Sequence, residues 1–253
     1  MRELSLFTGA GGGILGSMLL GHLIVGAVEI DDYCCRVLEQ RQRDGILARF
    51  PIFQTDIRDF VRYGYAELYQ GRCEIISAGF PCQPFSSAGE RLGEDDPRNL
   101  WPATADTIGI IRPRYVFLEN VPNVIADYGN VIIGDLTTLG YDADWDTLGS
   151  MALSGGVVKG DRTWISAVSQ TDNDRLERPI WRGACEKTWN QETFRSTWWQ
   201  TEPGIQRVAD GVANRVDRLK AIGNGQVPIV AATAWALLSQ ACHGEEHQQK
   251  GRV

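Results

Sequence analysis

Short apolar runs alternate along this chain with longer stretches of mixed apolar and polar positions. The runs are typical of buried strands, and the longer stretches predict helices between them. This alternation favours an α/β domain. The predicted strands are 3–7, 23–28, 52–57, 75–78, 115–118, 141–148 and 163–168. The predicted helices are one from Gly12, 31–43, one from Arg58, 98–111, 123–139 with a break near Gly129, and 228–242. The last helix is expected to return beside the first strand.

A glycine-rich turn joins the first strand to the first helix. Glycine lets a ligand come close to the backbone, and the helix N-terminus adds partial positive charge. The string from Gly11 to Gly16 also fits the dinucleotide fingerprint Gly-x-Gly-x-x-Gly. The second strand leads to Glu29, which can bind a ribose hydroxyl pair in more than one class of nucleotide-binding fold. Together these features favour an adenosine site and leave the class of ligand open.

A cysteine lies between two prolines just after the strand 75–78. Pro81 and Pro84 fix their own φ and favour extended geometry in the residue before them, so Cys82 is held in a rigid loop. Ligands of open α/β sheets bind outside the carboxyl ends of the strands, where this loop lies. A lone cysteine is more often a small buried apolar residue, but its setting between prolines favours a displayed nucleophile.

The strand 115–118 delivers a second polar pair, Glu119 and Asn120, to the same edge of the predicted sheet. A carboxylate at a strand end can be an ordinary surface charge. With Cys82 expected close by, we interpret Glu119 as a functional group.

Composition and charge indicate what kind of protein this chain is. The chain has 253 residues, of which 43% are hydrophobic, and a formal net charge of −7, so any polyanion must meet local positive charge. Six cysteines without a Cys-x-x-Cys pair predict reduced thiols and no metal site. No apolar run is long enough to span a membrane and no signal-peptide pattern opens the sequence. We therefore expect a cytoplasmic protein of a bacterial or phage-infected cell.

The motifs together resemble the DNA (cytosine-5)-methyltransferase family, in a short phage or bacterial form. The signature loop matches Pro81-Cys82-Gln83, the glycine turn matches 7–12, the second motif matches Glu119-Asn120-Val121, and the closing segment matches 207–228. The resemblance implies a Rossmann-like S-adenosylmethionine-dependent fold, with a mostly parallel sheet, an antiparallel hairpin and a reduced target-recognition segment.

The resemblance also implies a covalent mechanism without a metal. The Cys82 thiolate would add to C6 of a flipped-out cytosine, Glu119 would bind N3 and the amino group, and Arg162 would hold O2. Residues implied at the cofactor, S-adenosyl-L-methionine, are Phe7, Thr8, Gly9, Gly11, Gly12, Glu29, Ile30, Asp56, Ile57, Pro81, Leu100, Asn224 and Gly225. Residues implied at the DNA substrate are Gln83, Ser86, Arg98 and Asn120.

Asp56 is open to two interpretations. In the resembled family the matching aspartate accepts a hydrogen bond from the adenine amino group, and the next residue, here Ile57, packs on the ring. Asp56 can equally cap the helix that begins near Arg58, and one role does not exclude the other.

Two departures from the family pattern bear on activity. The family's Gln-x-Arg-x-Arg turn aligns with 158–162, where Arg162 matches and Gly160 replaces an arginine. The segment 170–205 is much shorter than the usual target-recognition domain, and its interleaved tryptophans and arginines suit either base stacking or an irregular flap over the sheet. We predict a catalytic domain over 1–169, this recognition segment, helices over 206–242 and a polar tail over 243–253.

The sequence thus predicts a monomeric methyltransferase that acts on C5 of cytosine in DNA and serves restriction-modification. Target recognition by a protein partner is left open. A catalytically weakened or partner-dependent S-adenosylmethionine-binding homologue is the first alternative, and an RNA cytosine-5 methyltransferase is the second. A dinucleotide oxidoreductase explains the glycine turn and Glu29 but leaves Cys82 and Glu119 without a role.

Overall fold

A computed structural model of the chain describes residues 1–81, 99–149, 161–170 and 225–241. Within these segments the strands are β1 Arg2–Leu6, β2 Leu23–Glu29, β3 Ile52–Gln54, β4 Ile75–Ala78, β5 Tyr115–Asn120, β6 Tyr141–Gly149 and β7 Asp161–Ser169. The helices are α1 Gly12–Leu19, α2 Asp32–Arg43, α3 Ile57–Arg62, α4 Trp101–Ile111, α5 Asn123–Thr138 and α6 Pro228–Ala241, with a 3₁₀ turn at Ala66–Tyr69.

The strands form one sheet in the order β3-β2-β1-β4-β5-β7-β6. The pairs from β3 to β5 are parallel, whereas β7 is antiparallel to both β5 and β6. The predicted α/β class, the mostly parallel sheet and the antiparallel hairpin are therefore confirmed. The strand order reverses between β1 and β4, and such a switch point opens a crevice at the carboxyl ends of the strands.

One face of the central strands is mainly apolar. Even-numbered positions of β1, β4 and β5 point to this face, because successive side chains of a strand alternate between faces. They pack with residues of α3, α4 and α5 into the main core, which includes Leu4, Leu6, Ile76, Ala78, Val116, Leu118, Ile108 and Ile132. This face provides the apolar burial that stabilises the domain.

The opposite face carries a buried carboxylate. Glu3 is 1% exposed, and its Oε1 accepts hydrogen bonds from the hydroxyls of Ser17 at 2.8 Å and Ser77 at 2.6 Å. Its Oε2 lies 2.7 Å from Nδ1 of His22. Because a buried charge is tolerated only when its hydrogen bonds are satisfied, this cluster ties α1 to both β1 and β4.

Helix α6 packs against α1, the helix that follows the first strand. Pro228 and Ala231 of α6 approach Gly16 of α1 there. The Trp235 ring of α6 contacts the ring of Phe117 of β5 at a centroid distance of 5.1 Å. The Trp235 ring also contacts the ring of His22, the partner of Glu3 in β1, at a centroid distance of 5.5 Å.

Three local predictions are corrected. Helix α5 shows no break at Gly129, because Val124, Tyr128, Ile132 and Leu136 are buried one turn apart along it. Strand β3 ends at Gln54 rather than at 57, since α3 begins at Ile57. Helix α4 begins at Trp101 rather than at 98, and the Asn99 side chain accepts from the Trp101 amide at 3.2 Å.

No helix in the described part of the chain is both long enough and apolar enough to cross a bilayer.

The packing of α6 on α1 predicts opposite effects for two glycine substitutions in helices. A Cβ at Gly16 would lie 2.8 Å from the Pro228 carbonyl oxygen and 3.0 Å from the Ala231 Cβ, whereas a Cβ at Gly134 of α5 meets nothing within 4 Å. We expect Gly16→Ala to lower the free energy of unfolding by about 1–3 kcal/mol. Gly134→Ala should raise it by about 0.5–1 kcal/mol, because alanine favours helix.

Urea denaturation of both variants measures the difference. Equal effects of the two substitutions would contradict the close approach of α6 to α1.

Candidate active site

The carboxyl ends of β1, β2, β4 and β5 meet at one edge of the sheet, where most of the predicted site residues lie. Because β7 is antiparallel, its first residues lie beside the last residues of β5, and Asn120 pairs with Thr163. This topology brings Arg162 next to Glu119 although the two are far apart in the sequence.

Glu119 is buried and paired at this edge. It is 8% exposed, and Nε of Arg162 lies 2.8 Å from its Oε1. Burial raises the pKa of the Glu119 carboxyl above its ordinary value, while Arg162 and a hydrogen bond from Gln226 act in the opposite direction. A carboxyl group in this setting can hold a proton at a higher pH than an exposed glutamate can.

Gln226 is a site residue that the sequence did not single out. Its side chain hydrogen-bonds the Glu119 carboxyl, and it precedes α6 by two residues. The signal was available, because Gln226 is the polar residue directly after Gly225 in the closing motif. Its role could not be predicted, because the contact depends on how α6 packs.

Asn120 fixes the backbone that leads to the cysteine loop. Its Nδ2 donates to the Phe80 carbonyl at 3.0 Å, and its Oδ1 accepts from the Val121 amide at 2.9 Å. The end of β5 is thereby tied to the residue before Pro81. Pro81 is the last described residue of this segment, and Cys82, Gln83, Ser86 and Arg98 lie outside the described residues.

The glycine turn after β1 lies where the sequence predicted it. Phe7, Gly9 and Gly11 have φ angles of 52°, 57° and 92°, and Gly11 is the N-cap of α1. The Thr8 hydroxyl donates to the Ser5 carbonyl at 3.0 Å and closes the turn. Positive φ is a conformation that glycine adopts without the strain a side chain would add.

Glu29 joins the turn after β1 to the turn after β2. Its Oε2 accepts from the Gly9 amide at 2.6 Å and its Oε1 from the Asp31 amide at 2.8 Å. Each carboxylate oxygen has more than one lone pair, so this arrangement leaves acceptor capacity for a ligand. Ile30, the next residue, is 63% exposed and presents an apolar surface at the same edge.

Asp56 caps α3. It accepts from the Arg58 amide at 2.8 Å and from Nε and Nη2 of the same arginine at 2.9 and 2.6 Å. The Arg58 side chain accordingly lowers the pKa of Asp56. Ile57 is buried in the main core at 2% exposure. The capping interpretation is confirmed, and contacts of Asp56 and Ile57 with adenine stay predictions.

Other atoms of the protein occupy the space beside the glycines that follow Gly11. A Cβ at Gly12 would lie 2.1 Å from the Gln226 carbonyl oxygen, and one at Gly13 would lie 2.4 Å from Gln226 Oε1. In the dinucleotide fingerprint the second glycine, here Gly13, lets the pyrophosphate approach the backbone. The side chain of Gln226 covers that position, which argues against the dinucleotide interpretation of the string.

The remaining predicted cofactor residues flank this edge. Leu100 precedes α4 and packs partly buried against the main core. Gly225 opens the described segment before α6, and Asn224 lies outside it. The contacts of these three residues with a cofactor stay predictions.

Three cysteines differ sharply from a displayed nucleophile. Cys34, Cys35 and Cys73 are buried free thiols, and burial raises the pKa of each to about 12. They are protonated at neutral pH and unreactive. In the described segments, no group of three or more His, Cys, Asp and Glu side chains is arranged to hold a metal ion.

Comparison with known proteins places this geometry in context. A family model described as C-5 cytosine-specific DNA methylase matches residues 1–197. The chain is 32% identical over 150 residues to the Type II methyltransferase M.NgoMIV of Neisseria gonorrhoeae, a match of 58% of this chain and 45% of the relative. It is 33% identical over 130 residues to the Type II methyltransferase M.AquIA of Picosynechococcus, covering 49% and 50%. The matches thus span half or less of these relatives.

Solved structures share the fold at lower identity. Dnmt2 methyltransferase of S. pombe aligns with a TM-score of 0.53 and 20% identity, over 70% of this chain and 53% of that one. A mutant DNMT2 of Spodoptera frugiperda aligns with a TM-score of 0.52 and 20% identity, over 71% and 53%. The predicted methyltransferase-type fold is confirmed.

The raised pKa of Glu119 predicts how stability varies with pH. The folded chain keeps the Glu119 proton to a higher pH than the unfolded chain does, so the free energy of unfolding falls as pH rises from about 4.3 to the folded pKa. Glu119→Gln cannot ionise. We therefore expect the stability of this variant relative to wild type to increase over that interval, as measured by urea denaturation at a series of pH values.

Glu74→Gln is a control of opposite sign. A hydrogen bond from the Arg2 amide lowers the pKa of Glu74, so the wild-type advantage should grow as pH rises through the unfolded pKa. Parallel pH curves for wild type and Glu119→Gln would contradict the assignment.

Proposed function

The chain belongs to the C-5 cytosine-specific DNA methylase family, and on that premise we propose that it transfers a methyl group from S-adenosyl-L-methionine to C5 of cytosine in DNA. The observation that carries the proposal is the Glu119–Arg162 pair at the sheet edge, next to the backbone that leads to Cys82. An acid and a cation side by side match the polar edge of a cytosine ring.

The cysteine supplies the nucleophile in this proposal. Cytosine C5 is too weakly nucleophilic to accept a methyl group unaided. The Cys82 thiolate adds to C6, a sulfur–carbon bond forms, and electron density moves toward N3 and O2 of the ring. C5 would then take the methyl group as its bond to the sulfonium sulfur of S-adenosyl-L-methionine breaks, and that sulfur would keep the electron pair as a neutral thioether. A solvent base removes the C5 proton, and the electrons of that C–H bond restore the C5–C6 double bond and expel the thiolate.

Glu119 and Arg162 stabilise the charge that develops on the ring. Burial raises the pKa of Glu119, which favours the protonated form that can donate to N3. Arg162 donates one N–H to Glu119 and another to the Asp161 carbonyl. A guanidinium has five such donors, so Arg162 can also donate to cytosine O2.

The turn after β1 and the end of β2 fit an adenosyl group. Glu29 has acceptor capacity for ribose hydroxyls, Ile30 offers an exposed apolar surface, and Gly9 keeps the backbone open. S-adenosyl-L-methionine supplies an electrophilic methyl group when bound. The residues that we propose to hold it are Phe7, Thr8, Gly9, Gly11, Gly12, Glu29, Ile30, Asp56, Ile57, Pro81, Leu100, Asn224 and Gly225.

We propose that target recognition rests on residues 170–205, with a protein partner as the alternative. Residues 1–169 would form the catalytic domain and 206–242 its closing helices. A cytosine in duplex DNA must be flipped out before C6 is accessible, at a cost of a few kcal/mol. With DNA as its substrate, we place the protein in the cytoplasm of a bacterial or phage-infected cell, as a monomer.

Two alternatives differ in measurable ways. A weakened or partner-dependent homologue would bind S-adenosyl-L-methionine and transfer nothing by itself. An RNA methyltransferase would label RNA in preference to DNA. The family model that matches the chain is described as C-5 cytosine-specific DNA methylase, which favours DNA.

Trapping tests the covalent step. DNA that contains 5-fluorocytosine should form an adduct with the wild-type protein that survives denaturing electrophoresis, because fluorine at C5 blocks the final elimination. Cys82→Ala should form none, and its rate of tritiated methyl transfer should fall at least about a thousandfold.

Cys73→Ala is the matched control for trapping, because that thiol is buried and protonated. It should retain the adduct. An adduct that persists in Cys82→Ala, or its absence in wild type, would defeat the proposal.

Cofactor binding tests the role of Glu29. Glu29→Gln replaces one acceptor oxygen by an amide donor that faces the backbone amide of Gly9 or Asp31. We expect the affinity for S-adenosyl-L-methionine to fall at least about tenfold by calorimetry, as is usual when a charge-assisted hydrogen bond is lost. The control Glu39→Gln changes an exposed pair of α2 and should leave affinity unchanged. Equal affinity in both variants would remove Glu29 from the site.

A further inference from the structure

Two segments of the chain hold the Glu119 carboxyl group. Oε1 lies 2.8 Å from Nε of Arg162, which β7 supplies. The side chain of Gln226, which precedes α6, hydrogen-bonds the same carboxyl group. Nε2 of Gln226 and Oε2 of Glu119 each lie 3.0 Å from the place of a Cβ at Gly79. The amide of Gln226 and the second oxygen of Glu119 therefore both lie close to Gly79.

Three glycines make room for Gln226. A Cβ at Gly12 would lie 2.1 Å from its carbonyl oxygen, and a Cβ at Gly13 would lie 2.4 Å from its Oε1. A Cβ at Gly79 would lie 3.0 Å from its Nε2. Contacts below 3.0 Å between such atoms require the backbone or the side chain to move. The turn after β1 and the end of β4 are thus shaped to accept this side chain.

From this geometry we propose that Gln226 is a positioning residue for the Glu119 acid: its amide fixes the carboxyl group so that the second oxygen faces the cytosine ring. The inference rests on the proposed function, since it assigns Glu119 the role of proton donor. Gln226 itself need not touch substrate.

A neutral amide suits this role better than a cation. A second positive charge beside Glu119 would favour its ionised form and remove the proton that it donates. An amide N–H orients the oxygen and leaves Arg162 of β7 as the charged side chain in contact with the carboxyl. Along the same face of the sheet, the ionisable groups Glu3 and His22 are bonded to each other. Removing the Gln226 amide should therefore both loosen the carboxyl group and raise its pKa.

The first experiment follows Glu119 itself and needs no enzymatic activity. Protein labelled with ¹³C at the glutamate carboxyl carbons is titrated by NMR, with Glu119→Gln used to assign the signal. In Gln226→Leu the Glu119 titration should move to higher pH, because a hydrogen bond to the charged form is lost. Gln40→Leu removes a comparable contact, from Gln40 Nε2 to Asp44 at 2.7 Å on the exposed face of α2, and should leave the titration in place. An unchanged Glu119 titration in Gln226→Leu would overturn the proposal.

The second experiment measures single-turnover methyl transfer. Gln226→Leu should be slower by about tenfold to a hundredfold, the usual effect of losing one hydrogen bond to a charged group. In a Glu119→Gln background the same substitution should have no further effect, because Gln226 acts through Glu119. A full additional loss in that background would assign Gln226 a purely structural role and overturn the proposal.

The two experiments distinguish the proposed function from the proposed role of Gln226. If wild type transfers no methyl group but Gln226→Leu still moves the Glu119 titration, the proposed function fails and the contact stands. If wild type is active and the titration does not move, the function stands and the role of Gln226 fails.

Discussion

A carboxyl group held at the edge of the sheet is the constraint on which the rest of this structure depends. Glu119 is nearly buried, and a buried acid without partners would be costly. Arg162 of β7 and Gln226, which precedes α6, provide these partners from two distant segments of the chain. The antiparallel return of β7 and the packing of α6 on α1 are therefore both needed to build the site, and neither is a local property of the residues near Glu119.

The two faces of the central strands have different roles: one carries the apolar core and the other carries the polar groups. Even-numbered positions carry Leu4, Ile76, Val116 and Leu118 into an apolar core, which supplies the free energy of folding. Odd-numbered positions carry Glu3, Ser77 and Glu119, whose polar atoms are satisfied by hydrogen bonds. Because the apolar face already provides a large core, the other face can tolerate polar groups that would destabilise a smaller domain.

Carboxylates also shape the loops around the crevice. Glu29 accepts from the amides of Gly9 and Asp31 and so fixes two turns with one side chain. Asp56 does the same for the start of α3. These groups orient backbone before any ligand is present, which lowers the entropy that binding must cost. In a family that we propose to bind an adenosyl group, such preorganisation favours affinity without further contacts.

The sequence by itself determined the elements and the class of fold, because apolar runs, prolines and capping residues act over a few neighbouring positions. The strand 75–78 was predicted at its observed place, and helix α2 was predicted to within one residue of its observed start. The resemblance of the sequence to the family also indicated the functional residues at the strand ends. Only the tertiary structure decided that Arg162 pairs with Glu119, that Gln226 completes the pair, that Gly129 leaves α5 unbroken and that α6 covers Phe117. Those outcomes depend on packing between segments that are distant in the chain. A local pattern of residues does not predict the free energy of such packing.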